Sequence, residues 1–396
     1  MKKHQLVVGF LSAALLVFGS TAPAQAAGSL TIWVLSGEEA AYKAASSAWA
    51  EKNNVSITIL AKCGLGDCGL SKAGPAGIGP DLFTATHDNT GAMVKSGLLF
   101  SLTSTVNSSA YPKSSIEGVT SKYGVWGVPI SISSLALATN EALVPTGAPK
   151  DWAELESTST KLITSGKASV GISAHLDGYN LQAIFESLGG YVFSNKNGKY
   201  TNTKQNGLYS KELAKNASKM DKWLDAKIFD KDNNWGIAKF VDGKAPYAIV
   251  GPWDIAGLDK AKIKYEISAI PSVKGGSARA FSGVTAMYMN RYAKNRILAK
   301  QYLTEVVQTK EFGKAISEAN DSYPANIAAA ASVNKASYSA KMGAYASICL
   351  PTPNVAEMNS VWTYWNGAFA EWGTGKSKFG EAMKTASKNL DTALGN

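Results

Sequence analysis

Residues 29–60 set a strand, a helix and a second strand end to end, and that order restricts the possible folds more than any other feature of the chain. SLTIWVL alternates around Leu30, Ile32 and Val34 as a strand, and EEAAYKAASSAWAEK places Tyr42, Ala45, Ala48 and Trp49 on one helical face. VSITIL then returns as a strand. Two strands joined through a helix lie parallel, with the helix packed on one face of their sheet, so the spacing predicts an α/β fold. A third strand, DLFTAT, follows the glycine-rich segment 64–79. Its end delivers Thr86, His87, Asp88 and Asn89, polar side chains at the edge where open α/β sheets hold ligands.

A second α/β unit is expected further on. YGVWGVPISISSLALATN, 123–140, has no helical period and suits a connection between two halves. DWAELESTSTKL reads as a helix and VGISA as a strand. YNLQAIFESLGG reads as a helix on Leu181, Ile184, Phe185 and Leu188 that stops at Gly189. ELAKNASKMDKWLDAK repeats that pattern with Leu213, Ala217, Met220 and Leu224. In YAIVGPWDI the apolar run 247–250 is halted by Gly251-Pro252, which leaves Trp253 on a loop. YEISAIP is a further strand, FSGVTAMYMN crosses back to the first half, and the chain from Asn295 on is mainly helical. In AEMNSVWTYWNGAFAEW, the residues Met358, Val361, Trp362, Trp365, Phe369 and Trp372 trace a stripe at helical spacing. Trp362, Tyr364, Trp365 and Trp372 do not all share one face, so some of these rings are expected to meet a cleft or solvent.

The 396 residues suffice for two domains with their own cores. Lys2 and Lys3 precede an apolar stretch, Leu6 to Phe18, that ends at Ala24-Gln25-Ala26, the layout of an export signal over 1–26. No later window nears the ~18 apolar residues of a membrane span. The cleavage region holds no cysteine for a lipid anchor, so a secreted chain, free in a periplasm or outside the cell, is expected. The formal net charge is +10, but arginine occurs only at 279, 291 and 296 and the lysines form no run. Solvated lysines explain that charge better than nucleic-acid binding, which relies on planar guanidinium groups. In an oxidising compartment the close pair Cys63 and Cys68 forms a loop-closing disulfide. With Cys349 alone, and only His87 and His175 after the leader, neither a metal site nor a cofactor is expected.

Catalytic signatures are scarce. No nucleophile elbow, Walker loop, dinucleotide fingerprint or zinc-protease helix is present. A glycosidase built on two carboxylates leaves no such signature and stays open at this point. Ten tryptophans and sixteen tyrosines accompany short polar groups on loops after strands. Sugars present apolar C–H faces to flat rings and hydroxyl rims to carboxylates and amides, and Asp88, Trp253 and the helix around Trp362 supply both. Amino-acid ligands call for an arginine near these loops, and none is there.

Along nearly the whole length, in order, run LTIWV, GPDLFTATHDNTGAMVKSGLL, YGVWGVPI, SLGGYVFSNKNGKY, VGPWDI, KYEISAIP, FSGVTAM and the aromatic helix. This series resembles the extracellular solute-binding proteins of sugar ABC transporters, and within them the maltose/maltodextrin-binding group. The resemblance implies a periplasmic-binding-protein-like fold of two α/β lobes, 27–132 plus 284–331 and 133–283 plus 332–396, with a hinge and an interlobe ligand cleft. It implies a monomer that delivers an oligosaccharide to permease subunits. By the same resemblance Asp88 and Asp177 bond sugar hydroxyls, Tyr179, Trp253 and Trp362 stack on sugar rings, and Glu38 falls near a further acidic position. His87 accompanies Asp88 at the strand exit. Three positions depart from the pattern: Ala85 stands for a large aromatic, Ser133 for an acid and Asn89 for an arginine. Another sugar, a polyamine or an anion remain alternative ligands.

Overall fold

The computed structural model describes residues 28–63, 66, 68–196, 199–231 and 236–396, so the expected leader 1–26 lies outside the described residues. β1 (Gly28–Leu35), α1 (Glu39–Lys52) and β2 (Val55–Cys63) follow one another as the periodicity predicts, and β1 pairs in parallel with β2. β3 (Leu82–Thr86) lies parallel on the other side of β1. Leu30, Ile32 and Val34 face one apolar cluster while Trp33, 6 % exposed, faces another, so this sheet is covered on both sides, as parallel strands require. The sheet continues beyond β3 with antiparallel members: Phe281–Met289, then Gly127–Ser134, then Tyr323–Pro324. Leu350–Pro351 runs parallel beside Phe281–Met289.

A four-stranded sheet forms a second centre in the order Tyr265–Ser268, Ala136–Asn140, Tyr247–Val250, Ile172–Ser173. Leu135 alone separates the strand Gly127–Ser134 of the large sheet from Ala136–Asn140 of the small one. One face of the small sheet joins a core made with the helices Gln182–Ser187, Met358–Gly373 and Phe379–Ala393, in which Phe185, Phe369, Trp365 and Trp372 are all fully buried. Val250, Ala248 and Phe240 pack on the other face with Ile255 and Leu258.

Several sequence expectations need correction. On α1 the buried face uses Ser46 where Ala48 was expected, and Ala48 is exposed. The Ser46 and Tyr302 hydroxyls bond each other at 2.7 Å, which satisfies a polar pair that periodicity alone gives no reason to bury. The run 212–227, read as one helical pattern, falls in two helices, Lys211–Asn216 and Ser218–Asp225. Gly251-Pro252 starts a helix, Pro252–Lys260, instead of opening a loop. Proline suits the first helical position because its missing N–H has no partner there, and the Asp254 carboxylate accepts from Gly251 N–H at 2.8 Å. Cys63 and Cys68 form the expected disulfide at the exit of β2. Among the described residues no helix is long and apolar enough to cross a membrane.

Candidate functional site

β3 turns directly into a short 3-10 segment, His87–Asn89, so three successive polar side chains leave the sheet edge with little freedom. His87 is 1 % exposed. Val284 N–H donates to its Nδ1 at 3.0 Å, which requires that nitrogen to be unprotonated, and Nε2–H therefore donates to the Thr352 carbonyl at 2.9 Å. Burial lowers its pKa, and the imidazole is neutral. Both nitrogens are thus engaged between the strand Phe281–Met289 and the segment around Thr352, and His87 has none left for a ligand in this conformation. Asn89 is likewise occupied, its Nδ2 donating to Thr86 Oγ1 at 2.9 Å.

Asp88 stays half-buried and points the other way. Its Oδ2 accepts from Trp362 Nε1 at 3.1 Å. Trp362 lies in the helix Met358–Gly373, parallel to Trp365 at 5.8 Å and 17°. Of the aromatic stripe, Trp365, Phe369 and Trp372 are buried in the core, and Trp362 is the ring that reaches the β3 exit. Tyr179 stands between platforms, its ring 6.4 Å from Trp362 and 6.3 Å from Trp253. Its hydroxyl and the Ser133 hydroxyl both lie near Gly283, and burial pushes the Tyr179 hydroxyl well above the ordinary phenol range. Trp253, on the first turn of the helix Pro252–Lys260, is 58 % exposed. Its ring folds back over Gly251 so closely that a Cβ there would come within 2.3 Å of it, so the glycine is needed for space.

Asp177 caps the turn that carries Tyr179: its carboxylate accepts from Asn180 N–H at 2.8 Å and from Asn180 Nδ2 at 2.9 Å. The same turn is tied to the aromatic helix by Gly178 N–H donating to Asn366 Oδ1 at 2.9 Å, and Gly178 lets Trp365 pack against its backbone. Asn366 was missed in the sequence, although it sits one helical turn after Trp362 and so shares its side of the helix. Glu38, after the left-handed Gly37, joins none of these groups. Asn320 Nδ2 donates to its Oε1 at 3.2 Å, and its Oε2 is buried without a partner. Desolvation raises its pKa to about 7, with the neighbouring Glu39 charge adding to the rise. The structure therefore gathers Asp88, Tyr179, Trp253, Trp362 and Ser133, keeps the half-buried Asp177 two residues before Tyr179 on the same turn, and leaves His87 and Glu38 engaged elsewhere.

Carboxylate, hydroxyl and three tilted rings at one locus form a surface chemically suited to stacking and hydrogen bonding. No group of His, Cys, Asp and Glu that could hold a metal ion occurs among the described residues. Residues 41–343 match the family described as bacterial extracellular solute-binding protein. The galactooligosaccharide-binding protein of Bacillus subtilis (strain 168) is 28% identical over 392 residues, covering 93% of this chain and 90% of that protein. The maltodextrin-binding protein MdxE of the same strain is 28% identical over 328 residues, 79% of this chain and 77% of that one. A maltooligosaccharide ABC transporter solute-binding lipoprotein of Streptococcus pneumoniae (strain ATCC BAA-255 / R6) is 26% identical over 350 residues, 84% and 81% of the two chains.

Proposed function

The chain belongs to the bacterial extracellular solute-binding proteins, and from that premise we propose that it captures an oligosaccharide of the malto or galacto type and presents it to an ABC permease. It is a receptor and leaves hydrolysis to other proteins. The observation that carries the sugar reading is the set of rings around Tyr179, with Trp362 at 6.4 Å and Trp253 at 6.3 Å, against an Asp88 carboxylate bonded to Trp362. Rings grip the C–H faces of a pyranose, and Asp88, with lone pairs beyond the one used by Trp362, accepts from its hydroxyls. Asp177, which caps the turn carrying Tyr179, bonds sugar hydroxyls beside Asp88 in this reading. Ala85 is fully buried, so the β3 side contributes polar groups and no ring.

Lobes of 27–132 plus 284–331 and 133–283 plus 332–396 are supported by the change of sheet at Leu135 and by the return of the strand Phe281–Met289 to the large sheet. Closure of one lobe on the other would be driven by a ligand that touches both and so favours the closed state. The processed chain, from Ala27, is proposed to be a soluble monomer without a lipid anchor. Titration with maltotriose and with a galactooligosaccharide tests the reading: a saturable tryptophan-fluorescence change without monosaccharide release is expected for at least one. Release of glucose or galactose overturns the receptor, and a response to spermidine or phosphate alone overturns the sugar.

A further inference from the structure

The end of the large sheet opposite the strand exits carries a surface that sugar capture does not use. There β1 begins at Gly28 against Leu298, and the segment before β3 packs on the turn after Phe281–Met289: Asn290 Nδ2 donates to Pro80 O at 2.8 Å, and Gly74 lies against the Tyr292 ring. Ile297 and Ile78, at 80 % and 75 %, are the two most exposed large apolar side chains among the described residues, and Tyr292 beside them is 42 % exposed. Pro75 and Ala76, also exposed, extend the apolar edge.

Cations of one sign surround it. Lys72, Arg291, Lys294 and Arg296 are exposed, and none takes part in an ion pair among the described residues. Arg296 is held in place, its Nη2 donating to the Arg291 carbonyl at 2.7 Å and its guanidinium lying 5.2 Å from the Phe100 ring. Neither 69–80 nor 290–300 contains an Asp or Glu. Asp81, the residue directly after the first segment, is buried, and its carboxylate accepts from the backbone N–H groups of Thr31, Lys294 and Asn295. Scattered single apolar residues on a surface need no explanation, but several on two segments that pack together, beside exposed cations with no ion-pair partner, match an anionic interface with an apolar layer beneath it.

We infer that this face rests on the surface of an anionic membrane, its cations against lipid phosphates and Ile78, Tyr292 and Ile297 in the interfacial zone. Many equivalent phosphates suit a ring of cations that has no carboxylate to set a direction, whereas a specific protein partner would call for paired donors and acceptors. Asp88 leaves the same sheet at the opposite strand ends, so the ring cluster stays accessible while this face is engaged.

The test is sedimentation of the processed chain, from Ala27, with vesicles of phosphatidylglycerol or of phosphatidylcholine, so that the apolar leader does not contribute. Binding to phosphatidylglycerol alone is expected, lost at about 1 M salt, where the Debye length falls to about 3 Å. Arg291→Gln with Lys294→Gln is expected to lower partition about thirtyfold, and separately Ile78→Ser with Ile297→Ser about tenfold, each with unchanged thermal midpoint. No binding to phosphatidylglycerol, equal binding to both lipids, or undiminished binding in both variants overturns the proposal. So does loss in these variants of binding to a detergent-solubilised permease when vesicles bind nothing. None of these outcomes touches the sugar reading, which the fluorescence titration decides independently.

Discussion

The exit of β3 and the exit of the strand Tyr247–Val250 both turn at once into a helical segment, yet they deliver their side chains in opposite states. At the first, His87, Asp88 and Asn89 are held by hydrogen bonds to Val284, Thr352, Trp362 and Thr86. At the second, Trp253 is 58 % exposed and held by its approach to Gly251 and its tilt against Tyr179. A polar group must be oriented by partners before it can discriminate a hydroxyl, and losing a partner underground is costly. An aromatic platform needs only steric support and works while open to water. Substitutions at the first exit are therefore expected to cost stability, and at the second, on the proposed sugar reading, binding.

His87→Ala is the strongest way to break this contrast. It strands the Val284 N–H and the Thr352 carbonyl and leaves a cavity, so a loss of about 3–5 kcal/mol in denaturant-melt stability is expected. A loss below about 1 kcal/mol would remove the bridging role. Trp253→Ala tests the other side: maltotriose binding by calorimetry should weaken by about 1–3 kcal/mol, the scale of losing a stacked ring, while the thermal midpoint stays near wild type. Unchanged affinity would make the exposed ring a surface feature.

A third exit, that of β1, sharpens the comparison through Glu38, whose carboxyl is buried with one oxygen unpartnered. The folded chain holds that proton to about pH 7, whereas an unfolded glutamate releases it near 4.5. The folded state thus binds more protons between these values, so this contribution is full below about 4.5 and is lost as pH rises through about 7. Glu38→Gln, which cannot ionise, should remove the pH dependence. Relative to wild type, its melt stability should gain about 3 kcal/mol between acid and pH 8. A parallel pH profile in both proteins would refute it.

Local patterns were legible. The strand-helix-strand opening is a matter of period and turn residues, and β1 and β2 lie parallel as it implies. The Cys63 and Cys68 pairing followed from spacing and compartment. What period cannot report is the partner on the far side. Ser46 is buried because Tyr302, 256 residues later, meets its hydroxyl. His87 read as a group beside a ligand edge, but Val284 and Thr352 claim both its nitrogens from distant parts of the chain. The rings of the aromatic helix shared one stripe in the sequence, and only packing against Phe185 and Phe379 separates buried Trp365 and Trp372 from Trp362.

Trp362 and Asp88 meet across 274 residues of chain. During synthesis, which runs from the N-terminus, no emerging fragment that stops short of the helix Met358–Gly373 holds both halves of the ring and carboxylate pair. Contacts of such long sequence separation are slow to close, because loop entropy is spent before they form. A nascent chain that stops short of this helix accordingly carries no assembled ring and carboxylate surface, and the pair closes only once residues 358–373 have been made.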